Sequence, residues 1–257
     1  MIPLKDQDMI RDKFAAELVY QVKIDYFTER DLGLTIPGKQ PCQYCKPTGE
    51  MLQEIAGLSD LISLRTHSVE DKPEEQVAFG VERVPGIVLR RGDTFVKYYG
   101  IPAGSEFPAF LECLVDLSRS ESLLSAESVA ALQLLTRDVT VQVFVTPTCP
   151  YCPAMMRLAY QMAMSSPRVK AETIEINEFP ELAERYGVQV VPLTVIDSRI
   201  AVPGMVDEAQ LVEQVTKAAQ GSAESSPDKG GPATPTETKP SERIARGKER
   251  ESGLFIP

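Results

Sequence analysis

The sequence is poor in several things that protein chemistry commonly draws on, and each shortage narrows the reading. Histidine occurs once, as His67, which leaves no second imidazole with which to share a metal ion. Placed in Arg65-Thr66-His67-Ser68, it reads as an ordinary surface residue. No apolar run is long enough to span a bilayer, and the opening residues Met1 to Asp8 lack a basic end followed by an apolar stretch, so a cytoplasmic location is expected. Basic residues are outnumbered, 27 Lys and Arg against 37 Asp and Glu, for a net charge of -10. Six acidic and six basic residues cancel in 221–257, so the remainder carries the whole acidic excess. Such a surface repels phosphate backbones and anionic lipid, which argues against nucleic acid and membrane partners. No G-x-G-x-x-G stretch marks a dinucleotide-binding unit. Cysteines number five, which for a cytosolic chain suggests catalysis, metal binding or burial and not a structural disulfide framework.

What is present is ordinary globular material, 43% hydrophobic and 25% charged, and 257 residues suggest two domains. A repeat supports that division. Cys42 and Cys45 recur 107 residues later as Cys149 and Cys152, and the same offset carries Tyr44 onto Tyr151. It also carries Phe79-Gly80-Val81-Glu82-Arg83-Val84-Pro85 onto Tyr186-Gly187-Val188-Gln189-Val190-Val191-Pro192. We read a duplicated domain, with units at 1–120 and 121–220, a boundary near 118–124, and a polar, Pro- and Ser-rich tail at 221–257 expected to be disordered. The tail ends in the apolar Leu254-Phe255-Ile256-Pro257, read as a passive terminus.

Periodicity predicts strands at 22–27, 61–65, 87–90 and 94–99 in the first unit, with helices at 8–19 and 107–117. The second unit is predicted to have helices at 126–136, 153–164, 181–186 and 207–219 and strands at 139–145, 169–176 and 193–196. Alternating strands and helices with a late strand pair give the α/β class, a mixed sheet with helices on both faces.

Each Cys-x-x-Cys falls between a strand and a helix. At a helix start the two cysteines lie one turn apart, near the Cα spacing of about 5.5–6 Å that a disulfide prefers. Free backbone N–H groups and the helix dipole stabilise a thiolate on the first cysteine. Cys149 and Cys42 are therefore the expected nucleophiles, and Cys152 and Cys45 the resolving thiols of thiol–disulfide exchange. The Val84-Pro85 and Val191-Pro192 pairs, each 43 residues beyond its nucleophile, suggest cis peptides facing the dithiols. The backbone of Val84 or Val191 would then take up an extended substrate segment by strand addition. Tyr44 and Tyr151 either shape the substrate surface or pack at the helix start. Cys113, at an apolar helical position, is expected to be buried. Zinc is disfavoured because the two pairs lie far apart and ahead of helices, so no metal site is assigned.

The segment Phe144 to Pro153 (FVTPTCPYCP) with its later Val-Pro is similar to glutaredoxins. With Tyr98 to Phe107 (YYGIPAGSEF) and Cys42-Gln43-Tyr44-Cys45, the duplicated chain over about residues 8–219 resembles the glutaredoxin-like protein disulfide oxidoreductases. The resemblance implies two thioredoxin-like domains in tandem, exchange with protein disulfides, and recharging by a thioredoxin-reductase-like flavoprotein; no cofactor is assigned. Two departures stand out. The stretch 28–41 ahead of Cys42 is long where the other half has only Thr146-Pro147-Thr148. Glutaredoxins usually have Thr-Val-Pro and Gly-Gly-x-x-Asp where this chain has Val190-Val191-Pro192 and Gly204-Met205-Val206-Asp207, which favours protein substrates over glutathione. Two rivals remain: an electron relay from a separate reductase to a peroxiredoxin, as in the duplicated domain of the alkyl hydroperoxide reductase flavoprotein, and a non-catalytic binding or metal-holding module.

Overall fold

Alternating apolar residues give Val22–Thr28 (β1) its two faces, and the same logic runs through the sheet. The computed structural model describes residues 2–30, 41–71 and 73–221. Residues 31–40 of the long stretch ahead of Cys42, and the tail beyond residue 221 with its apolar end, lie outside the described residues.

Around β1 the first half arranges α1 (Leu4–Glu17), α2 (Cys45–Ala56), β2 (Ile62–Ser68), α3 (Pro73–Phe79), β3 (Gly86–Arg91), β4 (Thr94–Tyr99) and α4 (Glu106–Arg119). The second half follows with α5 (Ala126–Gln133), β5 (Val139–Val145), α6 (Cys152–Ser165), β6 (Val169–Glu175), α7 (Pro180–Arg185), β7 (Leu193–Ile196), β8 (Ile200–Pro203) and α8 (Glu208–Gln220). In both halves the first strand pairs in parallel with the second and antiparallel with the third, which pairs antiparallel with the fourth. This is the tandem mixed α/β architecture expected from the repeat.

The two sets of four strands are hydrogen-bonded into one sheet, in the order β2-β1-β3-β4-β6-β5-β7-β8. Its seam is the parallel pairing of β4 with β6, Lys97 opposite Glu172, Tyr98 opposite Thr173 and Tyr99 opposite Ile174. On one face of that seam the buried Lys97 ammonium lies 2.6 Å from Glu172 and 2.8 Å from the Gly80 carbonyl. The Gln142 side-chain amide donates to the other oxygen of Glu172 at 2.9 Å. A one-residue slip would strand both charges without partners, so the ladder specifies register where apolar matching alone would not.

The main core lies between the sheet and α1, α2, α4, α5, α6 and α8, and a smaller apolar cluster lies under α3 and α7 on the other face. Helix α4 of the first half packs on α6 of the second, where Arg157 holds the buried Asp116 through two hydrogen bonds of 2.6 and 2.8 Å. The described residues form one compact unit.

Three differences from the sequence reading have physical causes. Helix α1 begins at Leu4 because Pro3, which has no N–H to leave unpaired, stands at its N-terminal cap. Strand β2 runs on to Ser68 because β1 pairs with it along its whole length, Phe27 opposite His67. His67 is therefore not a surface residue: it is buried, stacked on Phe27, with its Nε2 2.8 Å from the Asp25 carboxylate. Burial pushes the Asp25 carboxyl up, but hydrogen bonds from Arg90 and His67 outweigh it and hold the group below its ordinary value.

Candidate dithiol sites

Both Cys-x-x-Cys pairs stand where a strand delivers the chain into a helix. Cys45 and Cys152 are the first residues of α2 and α6, Tyr44 and Tyr151 are the caps, and neither cap contributes a side-chain hydrogen bond. The first N–H groups of each helix are thus left for the sulfur preceding them. Both pairs are closed disulfides, with Cα separations of 5.4 Å for Cys42–Cys45 and 5.5 Å for Cys149–Cys152, inside the range that opens and closes without backbone movement.

The polar surroundings of the two pairs differ. The Cys152 N–H donates to the Cys149 sulfur at 3.1 Å, the hydrogen bond that a thiolate at this position would use. The Cys42 N–H donates to the Glu29 carboxylate at 3.1 Å, and the Tyr26 hydroxyl donates to the Cys45 carbonyl at 2.5 Å. Cys42 is half-buried, whereas Cys149 is 6% exposed and Cys152 fully buried.

The Val84–Pro85 and Val191–Pro192 peptides are both cis. The main-chain groups of Val84 and Val191 enter no backbone hydrogen bond among the described residues, so both remain open to an added strand. Around the second pair three apolar side chains project into solvent: Tyr151 at 58% exposure, Val190 at 56% and Met205 at 58%. The Gly204 N–H donates to the Pro192 carbonyl at 2.8 Å, which ties the turn bearing Met205 to the proline turn. Tyr44 is half-buried, and no large apolar side chain beside the first pair is comparably exposed among the described residues.

The first half also supports the second pair. The Ser105 N–H donates to the Pro147 carbonyl at 2.9 Å, two residues before Cys149. Gly104, at φ +57°, presses so closely on that carbonyl that a Cβ would lie 2.3 Å from it. Next to this contact are two carboxyls that sequence reasoning missed, Glu106 buried and Glu178 half-buried. Glu106 accepts a hydrogen bond from the Tyr98 hydroxyl at 2.6 Å, and burial pushes its carboxyl up to about 7. Glu178 accepts the Ile101 N–H at 2.7 Å across the seam, and burial, with the nearby Glu175 charge, raises it to about 7 as well. Nothing in the sequence distinguishes Glu106 from an ordinary first-turn carboxylate at a helix start. Cys113 is fully buried on the core side of α4, as expected, and burial pushes its thiol up. Among the described residues no cluster of three or more His, Cys, Asp or Glu could hold a metal, and no helix is long and apolar enough to cross a membrane.

Comparison with known proteins agrees with this geometry. Residues 139–217 match the family model for the thioredoxin domain. The chain is 35% identical over 80 residues to a thioredoxin of Methanocaldococcus jannaschii, covering 31% of this chain and 94% of that one. It is 26% identical over 151 residues to an alkyl hydroperoxide reductase (AhpF) of Pseudomonas putida, covering 59% of this chain and spanning only 27% of the length of that relative. Among solved structures, a protein disulfide oxidoreductase from Aeropyrum pernix k1 superposes with a TM-score of 0.76 at 28% identity, covering 85% of this chain and 94% of that one. With the dithiols at helix starts, the shared strand order and a thioredoxin matched over nearly its whole length, the chain belongs to the thioredoxin family.

Proposed function

We propose that the chain is a thiol–disulfide oxidoreductase acting on protein disulfides, with Cys149–Cys152 as its principal dithiol and Cys42–Cys45 as a second one. The observation that carries this reading is the hydrogen bond from the Cys152 N–H to the Cys149 sulfur at a helix start rimmed by Tyr151, Val190 and Met205. In the reduced chain the Cys149 thiolate attacks one sulfur of a substrate disulfide and expels the other as a thiolate. The Cys152 thiolate then attacks Cys149, closing the intramolecular disulfide and releasing the second substrate sulfur. Two electrons pass to the substrate, and the chain is left oxidised until a reductase, by resemblance a thioredoxin-reductase-like flavoprotein, returns them.

The resolving step requires Cys152 to lose a proton while fully buried. Substrate would lie extended along Val191, with apolar side chains on Tyr151, Val190 and Met205. Val84, Pro85 and Tyr44 would serve the first pair in the same way. A relay reading, electrons passing from a separate reductase through this chain to a peroxiredoxin, is favoured by the similarity to the alkyl hydroperoxide reductase of Pseudomonas putida, which extends over 59% of this chain.

The test is reduction of insulin disulfides driven by dithiothreitol, combined with a Cys152→Ser variant. Wild type should turn over, and the variant should accumulate a mixed disulfide on Cys149, identified by peptide mass. An inactive wild type together with an unmodified Cys149 in the variant would discard the reading.

A further inference from the structure

A second polar site lies on the sheet away from either dithiol. At the start of β1 the strands β2, β1 and β3 frame a recess of about 150 Å³ whose polar lining is Lys23, Asp25, Ser63, Arg65 and Arg90. It opens on the face opposite α2. Tyr26 turns toward α2 and bonds the Cys45 carbonyl, whereas Lys23 and Asp25 alternate onto the other side. Lys23 is five residues from the end of β1 that leads to the first dithiol, about 16 Å along an extended strand.

The charges in the recess are not arranged for stability alone. Lys23 stands directly opposite Arg90 in the antiparallel pairing, an arrangement in which like charges repel. The one carboxylate present is already used: Asp25 engages His67 through one oxygen and the Arg90 Nε through the other, at 2.8 and 2.5 Å. Among the described residues neither Lys23 nor Arg65 has an ion-pair partner, the Ser63 hydroxyl makes no hydrogen bond, and the terminal nitrogens of Arg90 make none. Three cations against one carboxylate leave the recess with two excess positive charges, in a chain whose net charge is -10. With that much acid available to neutralise them, two unpaired cations at one recess indicate that the neutralising group comes from outside.

We propose that this recess is a binding site for a phosphoryl dianion, either inorganic phosphate or the phosphate of a small monoester. The guanidinium of Arg65, the free edge of Arg90, the Lys23 ammonium and the Ser63 hydroxyl supply donors to a tetrahedral oxyanion, and two positive charges match two negative ones. A recess of this volume admits one such group. The site is separate from thiol–disulfide exchange and holds whether or not that reading does.

The experiment is calorimetric titration of the full-length oxidised chain with inorganic phosphate and, separately, methyl phosphate, at constant ionic strength set with chloride. Lys23→Gln and Arg65→Gln, both at exposed positions, are titrated alongside, with circular dichroism to show that they fold. Saturable binding that each variant weakens about tenfold, the loss of one charge-assisted hydrogen bond, supports the site. Binding of both probes identifies free phosphate as a sufficient ligand, and binding of methyl phosphate alone identifies a monoester. Insulin reduction should be unchanged in both variants. Absence of saturable binding of either probe to wild type, or equal affinity in wild type and both folded variants, overturns the proposal.

Discussion

In the first half Cys42 is half-buried ahead of α2, its N–H turned to Glu29 and its neighbour Tyr44 half-covered. In the second, Cys149 is almost enclosed, receives the Cys152 N–H, and sits inside a rim of exposed Tyr151, Val190 and Met205. The disulfides themselves hardly differ, with Cα separations of 5.4 and 5.5 Å, because the same strand-to-helix turn produces both. The repeated strand-to-helix turn therefore preserves the disulfide geometry, and the surfaces around the two pairs have diverged. The support is unequal as well: the second pair is held by the first half through the Ser105–Pro147 bond.

The sharpest way to break this comparison is to silence each proposed nucleophile separately. Cys149→Ser should lower insulin reduction by at least about a hundredfold, the scale of removing an attacking group, and Cys42→Ser by no more than about threefold. Equal losses would mean that electrons must pass through both pairs, as the relay reading requires.

A smaller effect distinguishes the two glycines that follow the last strand of each half. Gly100, at φ +104°, faces Glu175 across the seam, where a Cβ would fall 2.8 Å from that side chain's Cβ; Gly204, at φ +75°, faces open space. Gly100→Ala should cost about 2–4 kcal/mol, strain plus overpacking, against about 1 kcal/mol of strain for Gly204→Ala. Urea unfolding of the two variants measures the difference, and equal costs would show that the seam yields more readily than its packing suggests.

The smallest effect is in pH dependence. Glu106 and Glu208 both open the last helix of their half, yet burial raises the first to about 7 while hydrogen bonds from Ser128 and Ser125 hold the second below its ordinary value. A raised carboxyl keeps a proton in the folded chain that the unfolded chain has released. Its stabilising contribution is full below the unfolded value near 4.5, declines as pH rises, and is gone above about 7. The decline amounts to at most about 3 kcal/mol for Glu106, and Glu106→Gln should flatten it in denaturation midpoints taken across that interval. Glu208→Gln should leave that slope unchanged, since its carboxyl is held below 4.5 and titrates outside the interval.

The repeat, both dithiols and most of the elements, though not the bounds of α2, α3 or β8, were legible in the sequence, because each depends on local rules: the two-residue period of a strand, the spacing of cysteines around one helical turn, the preference of a helix start for negative charge. The strand β5 and the turn into α6 could be placed from the residues Val139 to Cys152 alone. Three things depended on neighbours far apart in the chain. Fusion of two four-stranded sets into one sheet required Lys97 and Glu172, 75 residues apart (172 − 97), to meet at the seam. Burial of His67 required β1 and Asp25 beside it, and the raised Glu106 carboxyl required the enclosing core, whose desolvation outweighs the lowering effect of the hydrogen bond from Tyr98. Desolvation sums over every atom packed around a group, and the sequence lists those atoms without saying which will be adjacent. For this chain, local pattern determined which reaction can be carried and where its sulfurs sit, and tertiary packing decided which carboxyls hold protons and which surface a partner would meet.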